Sequence, residues 1–358
     1  MIFKKITLLT VVLFVSGLVA AQESKYIDRV KKIDHAVNTY LKANKTSLYY
    51  ESTDSAKNEN KHSWLWPLCA YLQATNEMEV LFPGSNFMKP VVKAVDQYWV
   101  NTKPIPAYQD YVTKEKITTK YYDDNQWVAI TYLDAYKRNG NKKYLKEAHK
   151  IYDFILFGLD TVAGGGIYWR EKDMTTKNTC SNGPGVLVAL RLYQQNPKPE
   201  YLKTAIAVYD WTKSRLQSPE GVYWDNIQIP SLKINKDTYT YNTGTMLQSA
   251  VILYNLTKDA KYLEEAKRVA KAGKAHFFKN NRLPNEYWFN AVMLRGYMEL
   301  YKIDKNPEWI NFFKTDADAI WEKERNEQNL VGTRSEKRLI DQGAMIEIYS
   351  LLAQVEKL

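Results

Sequence analysis

The chain is predicted to be an all-α protein, an (α/α)6 toroid of six inner and six outer helices. Three observations predict it. Half-buried and fully apolar helical stretches alternate along most of the 358 residues, polar turns recur between them, and strand-like alternation is nearly missing. Four segments open an amphipathic helix after such a turn: Lys143-Tyr144-Leu145, Glu200-Tyr201-Leu202, Lys261-Tyr262-Leu263 and Glu308-Trp309-Ile310. Gly, Asn and Pro in the preceding turns, as in Asn139-Gly140-Asn141 and Asn196-Pro197-Lys198-Pro199, stop one helix and start the next. Within these helices apolar residues return at helical spacing (Leu145, Ala148, Ile151, Tyr152, Ile155) between charged faces, the pattern of a surface helix with one buried stripe.

Before each turn lies a helix of another kind. Trp127 to Tyr136, Val186 to Tyr193, Met246 to Tyr254, Ala291 to Tyr301 and Ala344 to Ala353 are apolar on nearly all sides, and Trp64 to Leu72 is a shorter version. A helix apolar all round is buried all round. With Tyr26 to Leu41 and Asn86 to Val100 as the first two outer helices, the chain forms helix pairs with a period of about 45–60 residues, too long for the usual tetratricopeptide stack. A closed ring buries its inner helices on both sides, which an open stack does not. The inner helices then run in one direction and their N-terminal ends gather at one mouth.

The N-terminal segment reads differently. Met1-Ile2-Phe3-Lys4-Lys5 is followed by an apolar run from Ile6 to Val15 and by Val19-Ala20-Ala21, the layout of a secretory signal peptide. Cleavage after Ala21 is expected to send a single catalytic domain, residues 22–358, to the periplasm or the medium. No later segment approaches the roughly 20 apolar residues of a membrane span. Two cysteines, Cys69 and Cys180, make no disulfide framework, and the ring order predicts that they are not bridged. The formal charge of +10 is dispersed among acidic residues, without the concentrated basic face that nucleic acid requires.

Ten Trp and 27 Tyr exceed what a core of this size needs, and a flat apolar face with a polar handle suits stacking on sugar rings. Many of them fall at the expected mouth. Trp64 and Trp66, Tyr122, Asn125 and Trp127, Asn182, Tyr241 and Asn242, and Tyr287 stand at inner-helix starts, and Trp169 reaches over from a loop. Gly166-Ile167-Tyr168-Trp169-Arg170 and Gly221-Val222-Tyr223-Trp224-Asp225 repeat one loop signature, which serves equally as a packing anchor. These mouth residues are the candidate substrate-binding set.

Metal-ligand spacing, nucleophile elbows, phosphate loops and dinucleotide fingerprints are all missing, so no metal and no cofactor is expected. Carboxylates remain. Asp123 and Asp124 begin the second inner helix, where either one alone would read as a helix cap. Two adjacent anions at a barrel mouth repel, and a carboxylate pair in unlike surroundings is what glycoside hydrolysis uses. Neighbouring Cα atoms lie about 3.8 Å apart, which limits the carboxyl separation to about 6–7 Å and favours the retaining spacing of about 5–5.5 Å over the inverting one.

Tyr121-Tyr122-Asp123-Asp124-Asn125-Gln126-Trp127 at the start of an inner helix resembles glycoside hydrolase family 76, the bacterial α-1,6-mannanases, as do Ser181-Asn182-Gly183 and Tyr241-Asn242-Thr243-Gly244. The resemblance spans the mature chain. It implies a retaining hydrolase of mannan or manno-oligosaccharides, acting as a monomer, probing internal linkages, with Asp123 as nucleophile and Asp124 as acid/base. Thr243 departs from the family pattern, in which Gln is the commoner residue. The readings to be weighed against this one are a transglycosidase, another (α/α)6 enzyme such as a uronyl hydrolase, lyase or epimerase, and a non-catalytic glycan-binding protein.

Overall fold

The computed structural model describes residues 24–357; the expected signal peptide lies outside them. Twelve helices follow one another in the predicted alternation. The outer ones are α1 (Lys25–Tyr40), α3 (Met88–Val95), α5 (Lys142–Phe157), α7 (Pro199–Leu216), α9 (Ala260–Phe277) and α11 (Glu308–Lys323). The inner ones are α2 (Leu65–Leu81), α4 (Tyr122–Asn139), α6 (Thr179–Gln195), α8 (Thr240–Thr257), α10 (Tyr287–Asp304) and α12 (Leu339–Val355). Each inner helix packs on the next, and α12 packs on α2, which closes the ring. The core is almost entirely the inner helices and the stripes that the outer helices turn toward them.

Close helix approach explains where the sequence expectation started inner helices too late. Gly183-Pro184-Gly185 reads as a helix breaker, yet it lies inside α6. A Cβ at Gly183 would come within 2.2 Å of the Thr245 hydroxyl, and one at Gly185 within 2.6 Å of Ile167. The missing side chains are what let α6 approach α8 and the mouth loop, so packing overrides propensity here. The same holds between α8 and α10, where a Cβ on Gly244 would sit 2.4 Å from the Met293 Cα. The second outer helix is shorter than expected, ending at Val95 before a strand at Trp99–Val100.

Strands, unforeseen in the sequence, occur in the mouth loops. β1 (Trp99–Val100) pairs with β2 (Ala107–Tyr108), and β3 (Thr176–Asn178), β4 (Trp224–Gln228) and β5 (Ile234–Thr238) form an antiparallel sheet in that order. Each is too short to register as an alternating pattern.

A repeated device ties these loops down. The fourth residue of an inner helix turns an amide side chain back onto the backbone of the preceding loop. Asn125 accepts from the Tyr108 N–H at 2.9 Å and donates to the Tyr108 carbonyl at 2.8 Å. Asn182 does the same with Ile167 at 2.7 and 2.9 Å, and Gln342 with Val331 at 2.8 Å for both bonds. All three amides also donate to the carbonyl of the residue just before their own helix. A primary amide thus imitates a strand partner for one loop residue, satisfying backbone groups that are otherwise orphaned by burial. Thr243 stands at the fourth position of α8 and offers only its hydroxyl, which accepts from the Tyr223 N–H at 3.2 Å.

A second device sits two residues before three of these helices. Lys120 donates to the Ile105 carbonyl at 2.6 Å and pairs with Glu171, Lys177 donates to the carbonyls of Val162 and Gly165 and pairs with Asp160, and Lys337 donates to the Gly332 carbonyl. All three lysines are buried. Cys69 and Cys180 are both buried and free, as expected.

The amide device yields a ranking. Asn182→Ala strands the Ile167 backbone pair and is expected to cost about 2–4 kcal/mol, whereas Thr243→Ala removes one weaker bond and should cost about 1 kcal/mol. Urea unfolding of the two variants checks this; equal midpoints would refute the reading.

Candidate active site

Asp123 and Asp124 occupy the second and third positions of α4, and neither caps it. The residue before the helix is Tyr121, in extended conformation, and the helix start carries no side-chain cap. The helix dipole favours anions at these positions, but capping does not account for either carboxylate.

Both side chains face a cavity of about 340 Å³ at the mouth of the ring. Its walls are largely aromatic: Trp64, Trp66, Trp127, Trp169, Tyr121, Tyr241, Trp288 and Phe289. A second cavity of about 520 Å³ adjoins it across Asp123, Trp169, Tyr241 and Phe289, and carries Asp225, Asn178, Asn226 and Glu286 in its wall. Asp123 therefore stands in the wall shared by the two hollows, while Asp124 faces the first alone.

The Trp169 loop is set by backbone pairing. Its carbonyl accepts from the Tyr122 N–H at 3.0 Å, and Arg170 bridges to Tyr121. That register brings the Trp169 indole edge-on to Tyr121, at 5.0 Å between ring centroids, and aims its Nε1–H at Asp123 Oδ2, 3.2 Å away. The Lys177 ammonium, buried against the Tyr168 ring at 4.4 Å, holds the start of the same loop. The related Gly221–Asp225 loop diverges: it enters β4, and Trp224 lies under the Lys236 ammonium outside both cavities.

The two carboxylates have unlike surroundings. Burial pushes Asp123 up to about 6, against hydrogen bonds from Cys180, Trp169 and the Asp124 backbone that favour its charged form. Asp124 is pushed well above the usual carboxylate range by burial, by the charge of Asp123 and by that of Asp110, and it receives no compensating donor. Two anions this close share a proton, and the hydrogen bonds leave it on Asp124. One charged and one protonated carboxyl is the division of labour that acid-assisted displacement needs.

The structure sorts the other expected residues. Trp64, Trp66, Trp127, Trp169 and Tyr241 line the main cavity. Tyr122 does not: its ring is buried and stacked on Phe154 at 4.6 Å. Asn125 and Asn182 are fully buried loop anchors, their amides spent on backbone. Asn242 is fully buried and lines neither cavity, and Tyr287 is buried with its hydroxyl on Glu324. These five residues were assigned to substrate because they stand at helix starts, but an early helical residue points inward, outward or back to the loop according to its position in the turn. Asp110, Phe289 and Asp225 were missed, while Tyr121, Glu286 and Trp288 stand at inner-helix starts expected at the mouth but were not assigned to substrate. Trp288 and Phe289 adjoin the selected Tyr287 and were within reach of the helix-start argument; Asp110 sits in a loop with no local signal. Among the described residues no His, Cys, Asp and Glu cluster is arranged to hold a metal ion, and no helix is long and apolar enough to cross a membrane.

Asp123 makes the site costly to keep folded. Its carboxyl is held near 6, above its unfolded value near 4, so folding takes up a proton between those values. The associated stability is fully present below about pH 4 and is lost as pH rises through about 6. Asp123→Asn should therefore melt above the wild type by about 2–5 °C at pH 8, with the gap closing toward pH 4. Scanning calorimetry across that range tests it, and a gap independent of pH would contradict it.

Comparison with known proteins agrees with this geometry. Residues 25–356 match the model of glycosyl hydrolase family 76. A family 76 α-mannanase from Bacteroides thetaiotaomicron superposes with a TM-score of 0.87 at 27% identity, over 94% of this chain and 97% of that one. A family 76 mannosidase from Bacteroides thetaiotaomicron VPI-5482 gives 0.86 at 26% identity, over 93% and 99%. The mannan endo-1,6-alpha-mannosidase of Candida glabrata is 27% identical over 190 residues, which cover 49% of this chain and 42% of that protein, so the matched part spans less than half of the curated relative. With the ring, the mouth and the adjacent carboxylates in place, the match across nearly all described residues settles the assignment: the chain belongs to glycosyl hydrolase family 76.

Proposed function

We propose that this protein hydrolyses α-1,6-mannosidic bonds in mannan or manno-oligosaccharides with retention of configuration, as an exported monomer. The observation that carries the reading is the adjacent carboxylate pair facing one aromatic cavity, with donors on Asp123 and none on Asp124. Asp123, charged, attacks the anomeric carbon and forms a glycosyl ester. Asp124, protonated, gives its proton to the departing glycosidic oxygen. Once the ester has removed the charge of Asp123, Asp124 loses the neighbour that held its proton and becomes a better acid; having given the proton up, it takes one from water as that water attacks the ester.

The walls support a neutral substrate. Indole and phenol faces offer apolar stacking, and neither cavity has a Lys or Arg in its wall to receive a uronate. That observation weighs against a uronyl hydrolase or a polyuronate lyase on the same toroid. Two adjoining hollows that share Asp123 in their wall suit cleavage within a chain. The relatives named as mannan endo-1,6-alpha-mannosidases supply the linkage.

The first-formed product of α-1,6-mannotetraose hydrolysis should be the α-anomer by proton NMR; the β-anomer would rule out retention. Azide then assigns the two roles. With an activated α-mannoside, Asp124→Ala plus azide should yield the α-mannosyl azide and Asp123→Ala plus azide the β-mannosyl azide. The opposite pair of products would exchange the roles.

A further inference from the structure

The loop that leads into α4 puts a third carboxylate into the catalytic cavity, and the proposed mechanism gives it no contact with substrate. Asp110 lines the main cavity together with Asp124, Trp64, Trp66 and Trp288, and takes no part in the second one. Its backbone is pinned on both sides. The Asp110 N–H donates to the Thr119 carbonyl at 2.8 Å, and the Asp110 carbonyl accepts from the N–H of Leu65, the first residue of α2, also at 2.8 Å. Fully buried Gln109 locks the same loop: its amide donates to the Tyr111 and Lys116 carbonyls at 2.9 and 2.6 Å and accepts from the Thr118 N–H at 3.1 Å. The Asp110 side chain is treated differently. Its Oδ1 is buried without a hydrogen-bond partner, and no Lys or Arg shares its cavity wall. A carboxylate kept in that way opposes folding, so packing gives no reason for an acid here.

We propose that Asp110 is a specificity-determining residue: its carboxylate accepts ring hydroxyls of the departing sugar and so selects a sugar over other leaving groups. The proposal rests on the reading of Asp124 as the acid. Asp124 faces the main cavity and not the second, and its proton must reach the glycosidic oxygen, so the departing half of the substrate lies in the main cavity. The wall there offers Trp64, Trp66, Trp127 and Trp288 for stacking, and stacking alone does not distinguish a pyranose from another flat apolar group. Among the described residues Asp110 is the only carboxylate of this wall outside the dyad. Hydroxyls bond strongly to an ionised acceptor, and a buried acceptor left unpaired penalises a ligand that lacks them. Because the loop is already locked, little ordering opposes the contact.

Three substrates separate this role from an effect on the dyad. α-1,6-Mannotetraose needs both the proton of Asp124 and a place for a leaving sugar. Phenyl α-1,6-mannobioside needs the proton but its leaving group has no ring hydroxyls, and α-1,6-mannobiosyl fluoride needs neither. Asp110→Ala should lower kcat/KM about 10–100-fold more for the tetraose than for the other two, the loss expected of hydrogen bonds to a charged group. Asp110→Asn, which keeps a neutral acceptor in the same place, should give the same order with a smaller ratio, about 3–10-fold. It carries the comparison if the alanine variant does not fold. Equal losses on the tetraose and the phenyl glycoside overturn the proposal, because Asp110 then acts through the proton on Asp124, whose affinity for it the Asp110 charge raises. An undiminished rate on the tetraose overturns it too. Turnover of the tetraose by the wild type and the anomer it releases are read without any variant, so failure of the retaining α-1,6 reading and failure of the Asp110 role are told apart.

Discussion

Two neighbouring carboxylates, buried at the start of one helix, repel each other. Relief by solvent is limited, because Asp124 is buried and Asp123 half-buried among aromatic rings. It cannot come from a cation either, since neither cavity has a Lys or Arg in its wall. The remaining solution is to divide the charge: place donors on one carboxylate and withhold them from the other, so that the pair keeps a proton at neutral pH. Much of the mouth can be understood as machinery for that division. The indole of Trp169 reaches Asp123 from a loop, and Asp110 adds negative charge on the Asp124 side.

A division this fine needs loops that do not drift, and the mouth loops have little regular structure of their own. The ring supplies it. The fourth residue of each of three inner helices pairs with a loop residue as a strand would, and the buried lysines before α4, α6 and α12 gather loop carbonyls that would otherwise lack partners. The outer helices α1, α5 and α9 are capped by their own Ser24, Asn141 and Asp259. The inner helices carry no side-chain caps; their starts are covered by the loops they anchor. Stability and catalysis are coupled at these points, because Asn182 holds Ile167 and that loop carries Trp169 two residues later. The weaker anchor at Thr243 lacks the full amide pair that Gln342 forms in α12.

The ring and the dyad were legible because their signals are local. Helical periodicity distinguishes inner from outer helices residue by residue, and Asp123-Asp124 is contiguous. What failed has one cause, that the deciding partner lies far along the chain. Asn125 and Asn182 looked like mouth amides until Tyr108 and Ile167 claimed them. The third inner helix was expected only from Val186, yet Gly183-Pro184-Gly185 lies inside it because Thr245 fills the space a side chain would take. Asp110 reaches the cavity 13 residues before the dyad from a loop without a motif. Of the two loops that share a signature, only one puts its tryptophan in the cavity, and nothing within either motif says which.

The charge of the molecule makes sense on the same terms. A chain with a formal charge of +10 would be expected to attract acidic polymers, yet the walls of its two mouth cavities hold Asp110, Asp123, Asp124, Asp225 and Glu286. The cations nearest the mouth are committed elsewhere. Lys120 and Lys177 are buried on carbonyls and paired acids, Lys337 on a carbonyl, Arg170 is paired with Asp173, and Arg338 with Asp341 and, at 3.9 Å, Glu286. An anionic glycan entering the cleft would therefore meet repulsion from carboxylates and find no cation in the walls to balance it. It would also raise the cost of ionising Asp123, the group whose charge the donors are arranged to preserve. A neutral polyol imposes neither penalty: its hydroxyls can donate to Asp225 and Asp110, and its apolar faces can lie on the indoles. In the proposed reading the preference for an uncharged sugar follows from the same constraint as the mechanism, because a cleft that must hold one bare carboxylate beside a protonated one has no room for a third charge brought by the substrate.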